Sequence, residues 1–248
     1  MTISADLEGQ VAVVTGASSG LGRHFCEVLS CNGAQVVAAA RRKERLDELV
    51  ADGSAAVAVE CDVTDAENVA ALIGAAKRLG GPHILVNAAG WSQDRPALET
   101  SVDHFRRTLD VDLTSIFAVS VEAAKAMPDG GSIINIASIL GLVGSWPVAQ
   151  AAYCAAKGGV INLTRQLGAE WAKTGVRVNA IAPGWFPSEL TEDMFADEKA
   201  AAWIRRNTPM GRPGRLEELD GALLLMASPS STFLTGQTLA VDGGWTAR

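Results

Sequence analysis

The sequence predicts an α/β fold, a parallel sheet covered on both faces by helices. Two observations predict it. Short apolar runs, rich in β-formers, alternate with longer helical stretches along the chain. A strand apolar on both faces must be covered on both faces, and helical crossovers between parallel strands provide that cover. The first run also leads directly into a glycine-rich turn, Gly16-Ala-Ser-Ser-Gly20-Leu-Gly22, and then into a helix.

In chain order, the first strand is Val11–Thr15, followed by a helix near 20–32 that carries Arg23, Phe25 and Val28. Gln35–Ala39 is the second strand, with a helix near 43–51, and Ala56–Glu60 is the third, with a helix near 65–79. Ile84–Asn87 precedes one long helical stretch, 101–126. Ser132–Ala137 precedes a helix over 150–173, Arg177–Ile181 a helix over 215–227, and Thr238–Val241 closes the set. The longest stretch without a clear strand is 183–237, a place for substrate contacts near the end of such a sheet.

The 248 residues are 48% hydrophobic, enough for one sizeable core, and no linker, repeat or low-complexity segment divides them. The expectation is one domain over residues 1–248, with a substrate lid at about 184–212. A net charge of −7 speaks against nucleic acid or an anionic membrane surface as a partner. No run approaches a membrane span, and MTISADLEGQ carries acids before any apolar run, unlike a signal peptide. Cys26, Cys31, Cys61 and Cys154 are scattered without metal-ligand spacing, which points to reduced thiols, a cytoplasmic location and no metal site. Cys154 reads as a small packing residue.

The glycine turn suits a dinucleotide. Glycines at 16, 20 and 22 let a diphosphate approach the backbone of Ser18, Ser19 and Leu21, and the helix start offers free N–H groups and a positive dipole end. The second strand ends Ala40-Arg41-Arg42, with no acid for a ribose 2′-hydroxyl. Guanidinium groups suit a 2′-phosphate, so NADP(H) is expected over NAD(H). Tyr153 and Lys157 stand one helical turn apart and project from one face, with Ser138 upstream at a strand end. A hydroxyl, a phenol and an ammonium can move a proton on and off a carbonyl oxygen. With a hydride carrier they predict a carbonyl/alcohol oxidoreductase acting on a small-molecule carbonyl substrate.

Gly16/Gly20/Gly22, Asn87-Ala-Ala-Gly90, Ser138 and Tyr153-Cys-Ala-Ala-Lys157 in this order resemble a short-chain dehydrogenase/reductase. Cys61-Asp62-Val63, Asn179-Ala-Ile-Ala-Pro183-Gly184 and the ending Gly236 to Gly244 extend the resemblance over essentially the whole length. It implies a Rossmann fold with a seven-stranded parallel sheet. It implies Asp62 and Val63 at the adenine; Asn87, Ala88, Ala89 and Gly90 along the cofactor; and Lys157 on the nicotinamide ribose. Pro183, Gly184, Phe186 and Ser188 would meet the nicotinamide. A homotetramer, or a dimer, built from the helices at 101–126 and 150–173 is also implied. Where the family often has asparagine in a Val-Asn-Leu triplet, this chain reads Val111-Asp112-Leu113, so Asp112 brings a negative charge near Lys157.

In the expected mechanism Ser138 fixes the carbonyl oxygen, Tyr153 is general acid and base, and Lys157 lowers the phenol pKa from its usual value of about 10. For the substrate, Trp91, Leu140, Trp146, Trp185, Met194 and Phe195 suggest a pocket for a hydrophobic ketone or aldehyde. A 3-oxoacyl thioester on a carrier protein or coenzyme A, and a polyol or sugar acid, are the alternative substrates. A non-catalytic NADP-binding regulator is the alternative of another class.

Overall fold

A computed structural model describes residues 4–127 and 129–247. The start of the acid-rich N-terminal segment, residues 1–3, lies outside the described residues. Seven strands form one parallel sheet: β1 Val11–Thr15, β2 Gln35–Ala40, β3 Val57–Glu60, β4 Ile84–Asn87, β5 Gly131–Ile136, β6 Val176–Pro183 and β7 Thr238–Val241. Their order across the sheet is β3-β2-β1-β4-β5-β6-β7. The chain winds outward from β1 to β3, returns to the centre at β4, and winds the other way to β7. This is the expected Rossmann arrangement. The central neighbours are in register from Ala12 against Ile84 to Thr15 against Asn87. Between them the direction of winding reverses, and a crevice opens beyond the carboxyl ends of the strands.

The helices are α1 Gly20–Cys31, α2 Lys43–Ala51, α3 Ala66–Arg78, α4 Val102–Leu109, α5 Ser115–Lys125, α6 Ala151–Glu170, α7 Glu192–Ala196, α8 Glu198–Asn207 and α9 Asp220–Ala227. Alternate strand residues feed two cores. On one face Ala12, Val14, Val36, Ala38, Val86 and Ile134 pack with Phe25 and Leu29 of α1, Leu46 of α2 and Leu223 of α9. On the other, Val11, Val13, Val37, Leu85 and Ile133 pack with Leu72 of α3, Val119 of α5 and Leu167 of α6. Both faces are dry, so the strands carry the unbroken apolar runs seen in the sequence.

Two departures from expectation position the site. The predicted helix 101–126 is not continuous: a π turn at Asp110–Thr114 separates α4 from α5. One wider turn rotates the two helices against each other and carries Asp112 into the interior, where it is fully buried. β6 also runs on to Pro183, so its end reaches the crevice and aims the following loop across it. The span 184–212, expected as a lid, holds α7, α8 and the loop before them. Among the described residues no helix is long and apolar enough to cross a membrane, and no cluster of metal-ligating side chains occurs.

Candidate active site

The crevice is a cleft of about 1100 Å³. Its floor begins at the glycine turn. Gly16 has φ +69°, and a Cβ there would stand 2.7 Å from the backbone of Ala88 and Ala89. A Cβ at Gly22 would stand 2.4 Å from the Gly16 carbonyl oxygen. The turn is therefore closed to any larger residue at both positions. Ser19 occupies the N-cap of α1 but makes no cap bond, so its hydroxyl leaves the first-turn N–H groups to the cleft. These donors sit on a backbone stripped of side chains, and they fit a dinucleotide diphosphate.

The sequence-predicted residues Gly16, Ser18, Ser19, Gly20, Leu21 and Gly22 line the cleft together with Arg41, Arg42, Asp62 and Val63. Ala88, Ala89, Gly90, Ser138, Tyr153, Lys157, Pro183, Gly184, Phe186 and Ser188 line it as well. Asn87 does not. Its side chain is buried in the sheet, where Nδ2 donates to Ser120 Oγ at 3.0 Å and to Asn135 Oδ1 at 2.9 Å. Asn135 in turn donates to Thr164 Oγ1 at 3.0 Å, which ties β4 and β5 to α5 and α6. Alternation along β4 turns position 87 away from the crevice and leaves Ala88 and Ala89 at its edge.

Ser138 follows β5 and caps a single 3-10 turn, its Oγ accepting from Leu140 N–H at 3.1 Å. Tyr153 and Lys157 project from the first turns of α6, with the ammonium 5.5 Å from the centre of the phenol ring. The Lys157 ammonium is buried and donates to the Ile136 carbonyl at 3.0 Å. It also lies 3.5 Å from Asp112 Oδ1. The same Oδ1 accepts from Trp91 N–H at 3.1 Å, while Oδ2 is buried with no partner among the described residues. Burial pushes the Asp112 carboxyl above its ordinary range against the pull of Lys157. A Cβ at Gly90 would stand 2.9 Å from Asp112 Oδ1, so only glycine lets the acid sit here.

The Tyr153 phenol lies above its ordinary value. Burial raises it first; Lys157 and a hydrogen bond with Ser138 lower it, and Asp112 raises it further. Lys157 thus acts in the expected direction, but burial, with the Asp112 carboxylate expected beside Lys157, outweighs it.

Of the substrate residues, Trp91 lines the cleft, its ring 5.1 Å from the Arg107 guanidinium and 5.2 Å from His104. Trp146 does not: it is 82% exposed. Leu140 and Trp185 fill an apolar cluster with Trp245 and Ile204, against which Tyr153, Met194, Phe195 and Trp203 pack. This cluster backs the site behind Tyr153 and does not line the cleft. Composition shows bulky residues near a serine or a loop; it does not show which of them stack on one another.

One contact at the rim was not expected. Arg42 donates through Nε and Nη2 to Ser18 Oγ at 3.2 and 3.0 Å, and through Nη2 to Ser19 Oγ at 2.9 Å. It also holds both oxygens of Glu189, at 3.1 and 2.8 Å, and Arg45 pairs with the same carboxylate. Glu189 comes from the loop after β6. Its charge was readable in the sequence, but its partners lie more than a hundred residues away in the chain.

A family model described as enoyl-(acyl carrier protein) reductase matches residues 16–246. The chain is 40% identical over 245 residues to galactitol 2-dehydrogenase (L-tagatose-forming) of Cereibacter sphaeroides, covering 97% of this chain and 96% of that one. It is 40% identical over 245 residues to cis-4-hydroxycyclohexanecarboxylate dehydrogenase of Sinomonas cyclohexanicum, covering 96% and 97%. Among solved structures, a gluconate 5-dehydrogenase of Burkholderia cenocepacia in complex with NADP and tartrate superimposes with a TM-score of 0.92 at 34% identity, covering 98% of this chain and 97% of that one. Matches of this extent in sequence and in fold make the chain a member of the short-chain dehydrogenase/reductase family, oxidoreductases that use a nicotinamide cofactor at CH–OH groups.

Proposed function

We propose that the protein is an NADP(H)-dependent reductase that converts a ketone or aldehyde of apolar skeleton to its alcohol, reversibly, with Tyr153 as the acid and base. The observation that carries this reading is the joint placement of Ser138, Tyr153 and Lys157 on one wall of a cleft whose floor fits a dinucleotide. A reduced nicotinamide bound in the cleft supplies the hydride. Ser138 Oγ accepts from Leu140 N–H and hydrogen-bonds the Tyr153 phenol, so its hydroxyl can turn its proton from the phenol to the substrate oxygen and fix it beside Tyr153. Tyr153 delivers the proton, and a phenol held above its ordinary value stays protonated at neutral pH, ready for reduction. Lys157 would hold the ribose hydroxyls of a bound cofactor and lends positive charge to the phenol. Asp112, accepting from Trp91 N–H beside Lys157, positions that ammonium.

The diphosphate would lie along Gly16 to Gly22, the adenine at Asp62 and Val63, and the nicotinamide at Pro183, Gly184, Phe186 and Ser188. Arg41 and Arg42 at the rim, with no acid ending β2, support a preference for the 2′-phosphorylated cofactor. Trp91, Phe186 and Leu190 line the cleft and support an apolar substrate. Residues 184–212 serve as the lid of what we take to be one domain. A homotetramer or dimer through α4 to α6 is supported by Phe117 and Val102, which stand 48% and 64% exposed. The cysteines are all free, in keeping with a reducing, cytoplasmic setting.

A second reading, a polyol or sugar acid as substrate, is favoured by one observation. The chain is similar along its length to a galactitol 2-dehydrogenase and to a gluconate 5-dehydrogenase, proteins named for a polyol and a sugar acid.

The test is oxidation of NADPH and NADH against aryl ketones, aliphatic ketones, sugar-derived ketones and 3-oxoacyl thioesters. Turnover of apolar ketones with NADPH, reduced at least about 100-fold in Tyr153→Phe, is the expected result. Turnover of sugar-derived ketones alone would establish the second reading. Cofactor binding without turnover of any carbonyl would leave a regulator.

A further inference from the structure

The Glu189 contact is unlike the other surface ion pairs of the chain, because it joins the substrate-side loop to the cofactor-side rim. The loop lies close over the glycine turn: a Cβ at Gly20 would stand 3.2 Å from Ser188 Cβ. Both carboxylate oxygens of Glu189 sit on the Arg42 fork, and Arg45 takes one of them as well. The adjoining edge of Arg42, Nε and Nη2, donates to the hydroxyls of Ser18 and Ser19, so Nη2 is shared between the serines and Glu189. A planar dianion-binding set of two guanidinium groups and two hydroxyls is also what a phosphate monoester requires.

We propose that Glu189 is the chain's own competitor for the cofactor 2′-phosphate, so that the phosphate and the substrate-side loop exchange places on Arg42 and Arg45. The inference rests on the proposed reading that the basic rim faces the 2′-phosphate. A carboxylate and a phosphate cannot share one fork without mutual repulsion. The cationic surroundings are strong enough to hold the Glu189 carboxyl down at about 2. The Arg42–Glu189 side chains are 39% and 43% exposed, so the pair adds little to the stability of the fold and is free to exchange. A cofactor bearing the 2′-phosphate would displace Glu189 and release the loop over the glycine turn. A cofactor lacking it would leave the loop tied. Glu189 thereby sets how strongly the protein discriminates between the two cofactors, from a loop on the substrate side of the cleft.

The test is calorimetric titration with 2′,5′-ADP and with 5′-AMP, which differ only in the 2′-phosphate and require no turnover. The proteins are the wild type, E189Q, R42A and E192Q; Glu192 is an exposed acid at the start of α7 and serves as the charge control. Expected is about tenfold tighter binding of 2′,5′-ADP by E189Q, with 5′-AMP changed by less than about twofold and E192Q like the wild type. No change in E189Q, equal tightening for both nucleotides, or an equal gain in E192Q would each overturn the proposal. The two readings separate cleanly. A wild type that prefers 2′,5′-ADP, lost in R42A, with E189Q unchanged, overturns the role of Glu189 alone. Indifference to the 2′-phosphate in the wild type, R42A and E189Q alike overturns the basic-rim reading and the proposal with it.

Discussion

At position 112 the resemblance leads one to expect an amide, and the chain supplies a carboxylate, fully buried 3.5 Å from the Lys157 ammonium. Its effect on Tyr153 has a definite sign. Reduction needs the protonated phenol and oxidation of an alcohol needs the phenolate. The phenol is raised above its reference of 10.0, so oxidation should climb with pH into the alkaline range while reduction stays level through neutrality. Asp112 contributes to that rise, and Asp112→Asn removes its charge while keeping its shape. Both limbs of the pH–rate profile should then move to lower pH, and oxidation near neutrality should gain up to about tenfold. Profiles of kcat/KM in the two directions, for the wild type and the variant, check this. An unmoved limb would mean that the buried carboxyl carries a proton and exerts no field.

The strand–turn–helix unit at the start of the chain is the element on which the proposed cofactor binding depends most. Gly22 lies in the first turn of α1 with its missing Cβ directed at the Gly16 carbonyl, a backbone atom that cannot swing aside. Gly22→Ala should therefore cost about 1–3 kcal/mol of stability and loosen dinucleotide binding, read by thermal unfolding and by cofactor titration. This unit was legible in the sequence because both of its signals are local: the apolar run and the glycine spacing. The same holds for the strands, since burial on both faces writes itself into composition, and β1, β4 and β7 have the bounds expected. The break between α4 and α5 was not legible. A π turn is set by which carbonyl each N–H reaches, and Asp110-Val-Asp-Leu-Thr114 has no proline or glycine to mark it. The direction of the Asn87 side chain, the exposure of Trp146 and the partners of Glu189 were hidden for another reason. Each depends on an element distant in the chain.

Across the whole molecule, the central strands β4 and β5 are tied to the helices over them by a buried polar chain running from Ser120 through Asn87 and Asn135 to Thr164. All four side chains are buried, and each bond joins a different pair of elements. Asn135→Ala would strand the Thr164 hydroxyl and one of the two N–H groups of the Asn87 amide, whose other bond goes to Ser120. The expected loss is about 2–4 kcal/mol, or roughly 5–15 °C in Tm for a chain of this size, measured by calorimetry. The third apolar cluster of consequence lies behind Tyr153, where Trp185, Trp203 and Trp245 meet edge to face with ring centres 5.3 to 6.0 Å apart. They come from the loop after β6, from α8 and from the segment after β7. Half of the six indoles in the chain are thus electronically coupled in one place. The near-ultraviolet circular dichroism of the protein should consequently respond to any shift at the seam between the sheet and α8, an unlabelled optical gauge of the lid proposed for residues 184–212.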